Sequence, residues 1–186
     1  MIKTVSILGC GWYGLSLAKA LVADGYTIKG STTSEEKLIV LEESGIIPFL
    51  VNLSNGKGEL DPNFFTSDVL VICIPSRKKN DASLGLLDQL KIIASLTKSK
   101  QVIFISSTGI YQDGNFIVDE NVIPAPTSEV GKALHAAEQF LQQNTEFSTT
   151  VIRFGGLIGP NRNLAKHFGQ KRYPKWFSTD QFNSLS

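Results

Sequence analysis

The chain has 186 residues, 18 basic and 17 acidic, with 42% hydrophobic residues and 16 glycines, a mix that reads as one soluble globular domain around a single core. A formal charge of +1 excludes a broad cationic field for nucleic acid or anionic lipid, and the longest strongly apolar stretch, Val69 to Ile74, is far short of the roughly 20 residues that span a bilayer. Neither nucleic acid nor a membrane is therefore an expected partner, and too little apolar sequence follows Met1-Ile2-Lys3-Thr4 for a secretory signal, so the expected compartment is the cytoplasm. In chain order, residues 5–8 read as a strand. Residues 13–24 read as a helix with Leu17, Ala18, Leu21 and Val22 on one stripe, stopped by Gly25. A second strand over 26–30 leads to a helix that Ser34 would cap and the early acids Glu35 and Glu36 would support. Strands follow over 47–51, 68–74, 101–106 and 149–154, with helices predicted over 83–96 and 131–143. Runs such as Val69-Leu70-Val71-Ile72-Cys73-Ile74 show no polar alternation, as strands covered on both faces do. The pattern predicts an α/β fold: a doubly wound parallel sheet with helices on both faces, in strand order 3-2-1-4-5-6. Two cysteines, Cys10 and Cys73, lack disulfide or metal spacing and read as small buried residues.

Gly9-Cys10-Gly11-Trp12-Tyr13-Gly14 follows the first strand and opens the first helix, the setting in which G-x-G-x-x-G signals a dinucleotide site. Gly9 allows the tight turn, Gly11 a close approach of backbone to pyrophosphate, and Gly14 close packing of helix on strand. The amides at the helix start would face the anion. Trp12 and Tyr13 either shape the cofactor pocket or pack at the helix start. At the end of the second strand, Gly30-Ser31-Thr32-Thr33-Ser34 offers hydroxyls where an NAD site carries Asp or Glu. Ser31, Thr32, Thr33 and then Lys37 could hold a 2′-phosphate, so NADP is expected over NAD, although these residue types also suit an ordinary helix-capping loop. Ile74 and Pro75 close the fourth strand where the dinucleotide would pass.

The glycine turn, Ser106-Ser107-Thr108-Gly109-Ile110-Tyr111, Asp119-Glu120, Pro124, Pro126, Ala137-Glu138 and Arg153-Phe154-Gly155-Gly156-Leu157-Ile158-Gly159-Pro160 occur in this order. Together they make the chain resemble the short-chain dehydrogenase/reductase superfamily, in an atypical form of its NAD-dependent epimerase/dehydratase branch. The resemblance implies a Rossmann NAD(P)-binding domain, here residues 1–165, followed by a substrate-binding portion that is reduced or missing. It implies redox or epimerase chemistry on a small, sugar-like substrate, with Ser106 at the cofactor and Ser107 as the catalytic serine. In the family's proton-transferring pair, Tyr-x-x-x-Lys, the catalytic tyrosine is absent here. If Lys132 takes the lysine position, Ser128 replaces the tyrosine; if Ala137-Glu138 anchors the alignment, Val130 and Leu134 occupy the two positions. A serine hydroxyl cannot replace a phenol in that proton transfer unaided. Tyr111 is the nearby phenol left to nominate as catalytic, though in the family this tyrosine is more often structural. A catalytically inactive nucleotide-binding sensor or scaffold, or an inactive fragment, is the competing reading. His135, the Asp119-Glu120 pair and Glu42-Glu43 read as solvated surface, and His167 falls in the poorly matched tail.

Residues 166–186 match the family poorly, and from about Arg172 the chain shows no helix or strand period. This stretch is expected to be a frameshifted, disordered tail. The expected partner is a small-molecule substrate; the oligomeric state is left open, a homodimer included.

Overall fold

A computed structural model describes residues 2–53, 60–75, 84–112, 114, 117–160 and 162. The basic run Arg77-Lys78-Lys79, Ser76, Ser83, His167 and the tail 166–186 lie outside them. The chain divides into two units, Met1–Phe154 and Gly155–Ser186. In the second, Gly159 and Arg162 exchange backbone hydrogen bonds of 3.1 and 2.9 Å.

The first unit alternates strands and helices. Its strands are β1 (Thr4–Leu8), β2 (Thr27–Thr32), β3 (Ile47–Leu50), β4 (Val69–Ile72), β5 (Gln101–Ser107) and β6 (Ser148–Phe154). The helices are α1 (Trp12–Ala23), α2 (Glu36–Glu43), α3 (Leu86–Leu96) and α4 (Glu129–Gln142). All strand pairs are parallel, in the order β3-β2-β1-β4-β5-β6. The expected fold class and strand order are thus observed.

Successive side chains of a strand point to opposite faces, and here each face meets its own core. Leu8, Leu70, Ile72, Val102 and Phe104 join Leu90 and Leu134 on the face covered by α3 and α4. Ile7, Val71 and Ile28 join Ala18 and Leu41 on the face covered by α1 and α2. This double covering explains why the central strands carry no polar alternation. Asp68 ties the start of the sheet together: its carboxylate accepts the Lys3 and Thr4 amides at 2.8 and 2.9 Å and the Thr4 hydroxyl at 3.0 Å.

β3 is an edge strand with Pro48 at its centre, registered opposite Gly30. Val51 donates its amide inward to Thr32 at 2.9 Å. Pro48 lies an odd number of residues away, so the amide it lacks belongs to the outward rim, where proline is tolerated.

Three local expectations are corrected. Ser34 does not cap α2: the N-cap is Glu35, already in helical geometry with no side-chain cap bond, and the Ser34 amide instead donates back to the Thr32 hydroxyl at 3.2 Å. α4 starts two residues earlier than its apolar period suggests because Ser128 caps it, accepting the Gly131 amide. β4 ends at Ile72, so Cys73, Ile74 and Pro75 leave the sheet at its carboxyl edge.

Candidate functional site

The turn between β1 and α1 is held from two sides. Gly9 has φ +97°, a left-handed conformation that a side chain strains, and a Cβ there would lie 3.1 Å from the Cys73 carbonyl oxygen. A Cβ at Gly14 would run into the Gly9 carbonyl. α1 therefore begins directly against the turn. On the other side, Ser31 accepts the Gly9 amide on its hydroxyl at 2.9 Å and the Cys10 amide on its carbonyl at 2.8 Å. Gly11 is the N-cap, extended and without a side-chain cap bond, and a Cβ there would meet no atom within 4 Å. This open ground lies at the amide-bearing end of a helix, which suits a diphosphate. Tyr13 packs edge-on against Phe154 with ring centroids 5.0 Å apart, so the packing role has a visible partner. Its phenol is pushed up by burial and by the neighbouring Cys73. Trp12 is half-buried at the helix start.

At the end of β2 the four residues expected to hold a phosphate divide in two. Ser31 and Thr32 are buried, and their hydroxyl oxygens serve the Gly9 and Ser34 amides. Thr33 and Lys37 are exposed. Glu35, the first carboxylate after β2, is exposed as well.

A cleft of about 340 Å³ opens at the carboxyl ends of β4 and β5. Cys73, Ile74 and Pro75 line it from the segment after β4, and Ser106 and Ser107 from β5. α4 contributes Ser128, Val130, Gly131 and Leu134. Lys132 is turned out, paired with Glu129 at 2.9 Å. Of the positions in the two registers, Ser128, Val130 and Leu134 line the cleft and Lys132 does not. Val130 and Leu134 are apolar. Burial pushes the Cys73 thiol up to about 12, helped by the neighbouring Cys10, and the Cys10 thiol up to about 11 against a smaller opposing contribution from a Ser31 backbone hydrogen bond. Neither is a ready nucleophile near neutral pH.

Tyr111 is engaged elsewhere. Its hydroxyl donates to the Asp119 carbonyl at 3.0 Å and accepts from Arg153 at 2.7 Å. Arg153 also makes a two-pronged bond to Glu138, at 3.2 Å from Nε and 2.8 Å from Nη2. The Glu138 side chain is 2% exposed, and its hydrogen bonds raise the Arg153 guanidinium above its ordinary value. The unit ties α4, β6 and the loop after β5 together. Sequence reading missed it as a unit, although an acid on the apolar stripe of α4 and an arginine within a strand are the type of signal that marks an ion pair packed against the sheet. His135 is half-buried and does not line the cleft.

No family model matches the chain. It is 30% identical over 180 residues to protein YeeZ of Escherichia coli (strain K12), an alignment covering 93% of this chain and 65% of YeeZ. Among solved structures, a protein of Methylobacillus flagellatus assigned as an NAD-dependent epimerase/dehydratase is 23% identical with a TM-score of 0.66, over 93% of this chain and 62% of that one. The UDP-glucuronic acid 4-epimerase of Bacillus cereus, solved with NAD, is 17% identical with a TM-score of 0.70, over 84% of this chain and 58% of that one. The chain thus spans about two thirds or less of the length of each. Among the described residues no helix is long and apolar enough to cross a membrane. The likeness read from the motifs is matched by solved proteins of the NAD-dependent epimerase/dehydratase kind, and the chain has their Rossmann-type fold.

Proposed function

We propose that the chain binds a nicotinamide dinucleotide, its diphosphate on the turn from Gly9 to Gly14 and its nicotinamide end toward Ile74, Pro75 and Ser106. It works on a small, sugar-like substrate in the cleft beside Ser107. The observation that carries this reading is the location of the turn: it joins β1 to α1 where strand order reverses between β1 and β4, the crevice in which doubly wound sheets hold dinucleotides. The epimerase solved with NAD supports the same class of cofactor. For the finer choice we favour NADP, with Thr33 and Lys37, both exposed at the end of β2, as the phosphate contacts. Ser31 supports the turn from below. When bound, the nicotinamide would supply hydride transfer; the chain's own residues supply the cradle, the Ser107 hydroxyl and a partly apolar pocket.

A second reading, binding without turnover, is favoured by one observation: whichever register is taken, the tyrosine position of the resembled family is held by Ser128 or Val130, and both line the cleft. Neither supplies a phenol for proton transfer. Calorimetric titration with NADP and NAD tests the first claim, and tight binding of NADP over NAD is expected. Binding of neither removes the proposal. Oxidation or reduction of the bound nicotinamide with sugar-nucleotide substrates then separates turnover from sensing.

A further inference from the structure

Two aromatic side chains meet across the carboxyl edge of the sheet. Tyr13 belongs to the first turn of α1, which leaves the sheet from β1, and Phe154 is the last residue of β6. β4 and β5 stand between β1 and β6, which puts those two strand ends about 14 Å apart at the usual inter-strand spacing. The two rings nevertheless lie with centroids 5.0 Å apart and planes at 69°. The pair therefore bridges the ends of β4 and β5. It does so on the face covered by α1, since Arg153 points to α4 and Phe154, the next residue of the strand, points the other way. Burial and then the neighbouring Cys73 raise the Tyr13 phenol, and Cys73, just beyond β4, also lines the cleft. Ser107, at the end of β5, pairs in register with Phe154.

Packing alone does not use the pair up. An edge-on contact engages the face of one ring and the edge of the other, and both Tyr13 and Phe154 are only half-buried. Aromatic surface is thus left at the border between the turn and the cleft. The charges around it are one-sided. None of the described residues lining the cleft carries a charge. α1 has no acid in its first turn, and the start of a helix presents partial positive charge. A cation placed here finds no carboxylate in the cleft lining, and the raised Tyr13 phenol stays protonated at neutral pH. What remains to favour a cation is the negative face of an aromatic ring.

We propose that Tyr13, held in place by Phe154, shifts the preference of the chain toward the oxidised nicotinamide ring over the reduced one. The proposal rests on the dinucleotide reading, in which the path from the glycine turn to Ile74, Pro75 and Ser106 crosses the aromatic pair. The oxidised ring is positively charged and the reduced ring is neutral, so a tyrosine face discriminates between them where apolar contact does not. Tyr13 is thus a specificity residue for the redox state of the cofactor. Its effect biases the resting chain toward the form that accepts hydride.

The test is calorimetric titration of the full chain with NADP, NADPH, NAD and NADH. Tyr13→Leu keeps an apolar side chain and removes the ring; it should weaken binding of the oxidised form about fivefold and of the reduced form less than about twofold. Tyr13→Phe keeps the ring and should restore the parent's ratio of oxidised to reduced affinity. Phe154→Leu, which releases the Tyr13 ring, gives an independent reading and should move the ratio in the same direction as Tyr13→Leu. Urea unfolding establishes that each variant is folded at the titration temperature. A merely structural Tyr13 would weaken both forms alike. Equal loss of both forms in Tyr13→Leu and Phe154→Leu, or a Tyr13→Phe ratio that follows leucine rather than the parent, overturns the proposal. Nucleotide binding with an unchanged ratio in the variants sinks this inference alone, whereas binding of none of these nucleotides by the parent chain removes the cofactor reading and this inference with it.

Discussion

Gly14 shows most directly how one residue governs the site. A methyl group there meets the Gly9 carbonyl, so Gly14→Ala should destabilise the chain by about 1–3 kcal/mol, as overpacking does, and abolish dinucleotide binding. Urea unfolding and calorimetry read the two effects separately. Glu138 makes a different point. Replacing it with alanine leaves the Arg153 charge partly buried and unpaired, a loss of about 3 kcal/mol, whereas Tyr111→Phe removes one hydroxyl's bonds and should lower stability by about 1 kcal/mol. Denaturant midpoints of the two variants check that order. The thiols give a chemical test: with burial raising Cys73 to about 12 and Cys10 to about 11, alkylation of the folded chain by iodoacetamide should be slow at neutral pH and should speed up sharply on unfolding. The glycine turn was legible from residue types because each glycine answers a backbone requirement local to the chain. The Ser31 contact was not. Its hydroxyl looked like a phosphate ligand until the fold brought Gly9, distant in sequence, to within 2.9 Å.

Among the elements, the strands were easier to read than the helix ends. A strand such as Val69–Ile72 announces itself by unbroken apolar residues, because both of its faces are covered. The start of α4 depends on one hydroxyl accepting one amide, and Ser128 stands outside the apolar period that defines the helix. Ser128→Ala should lower stability by about 1 kcal/mol, read as a shift in the unfolding midpoint. Asp68 supplies a pH test on β1. Accepting the Lys3 and Thr4 amides, and then the Thr4 hydroxyl, holds its carboxyl below the ordinary value. A carboxyl depressed on folding stabilises the chain above its unfolded pKa, and that contribution fades as pH falls through the folded one. Acid unfolding should therefore lose part of its pH dependence in Asp68→Asn, while stability at neutral pH drops toward the acid-pH value of the parent. The cleft was only half legible. The sequence left two registers for the proton-transferring pair open; the structure puts Lys132 on the outer side of α4, against Glu129, and lines the cleft with Ser128, Val130 and Leu134.

Across the whole molecule, strand order was readable because parallel crossovers are right-handed and the phosphate turn comes first. The spatial union of Tyr111, Glu138 and Arg153 was not, since it joins three segments whose separation in sequence says nothing about distance. Pro48 gives the sheet a further property. An extended peptide that tried to add itself as a seventh strand along β3 would find no donor at the middle of its template. Growth of cross-molecular ribbons from that border is thereby interrupted, a safeguard against aggregation for a sheet that is open along β3.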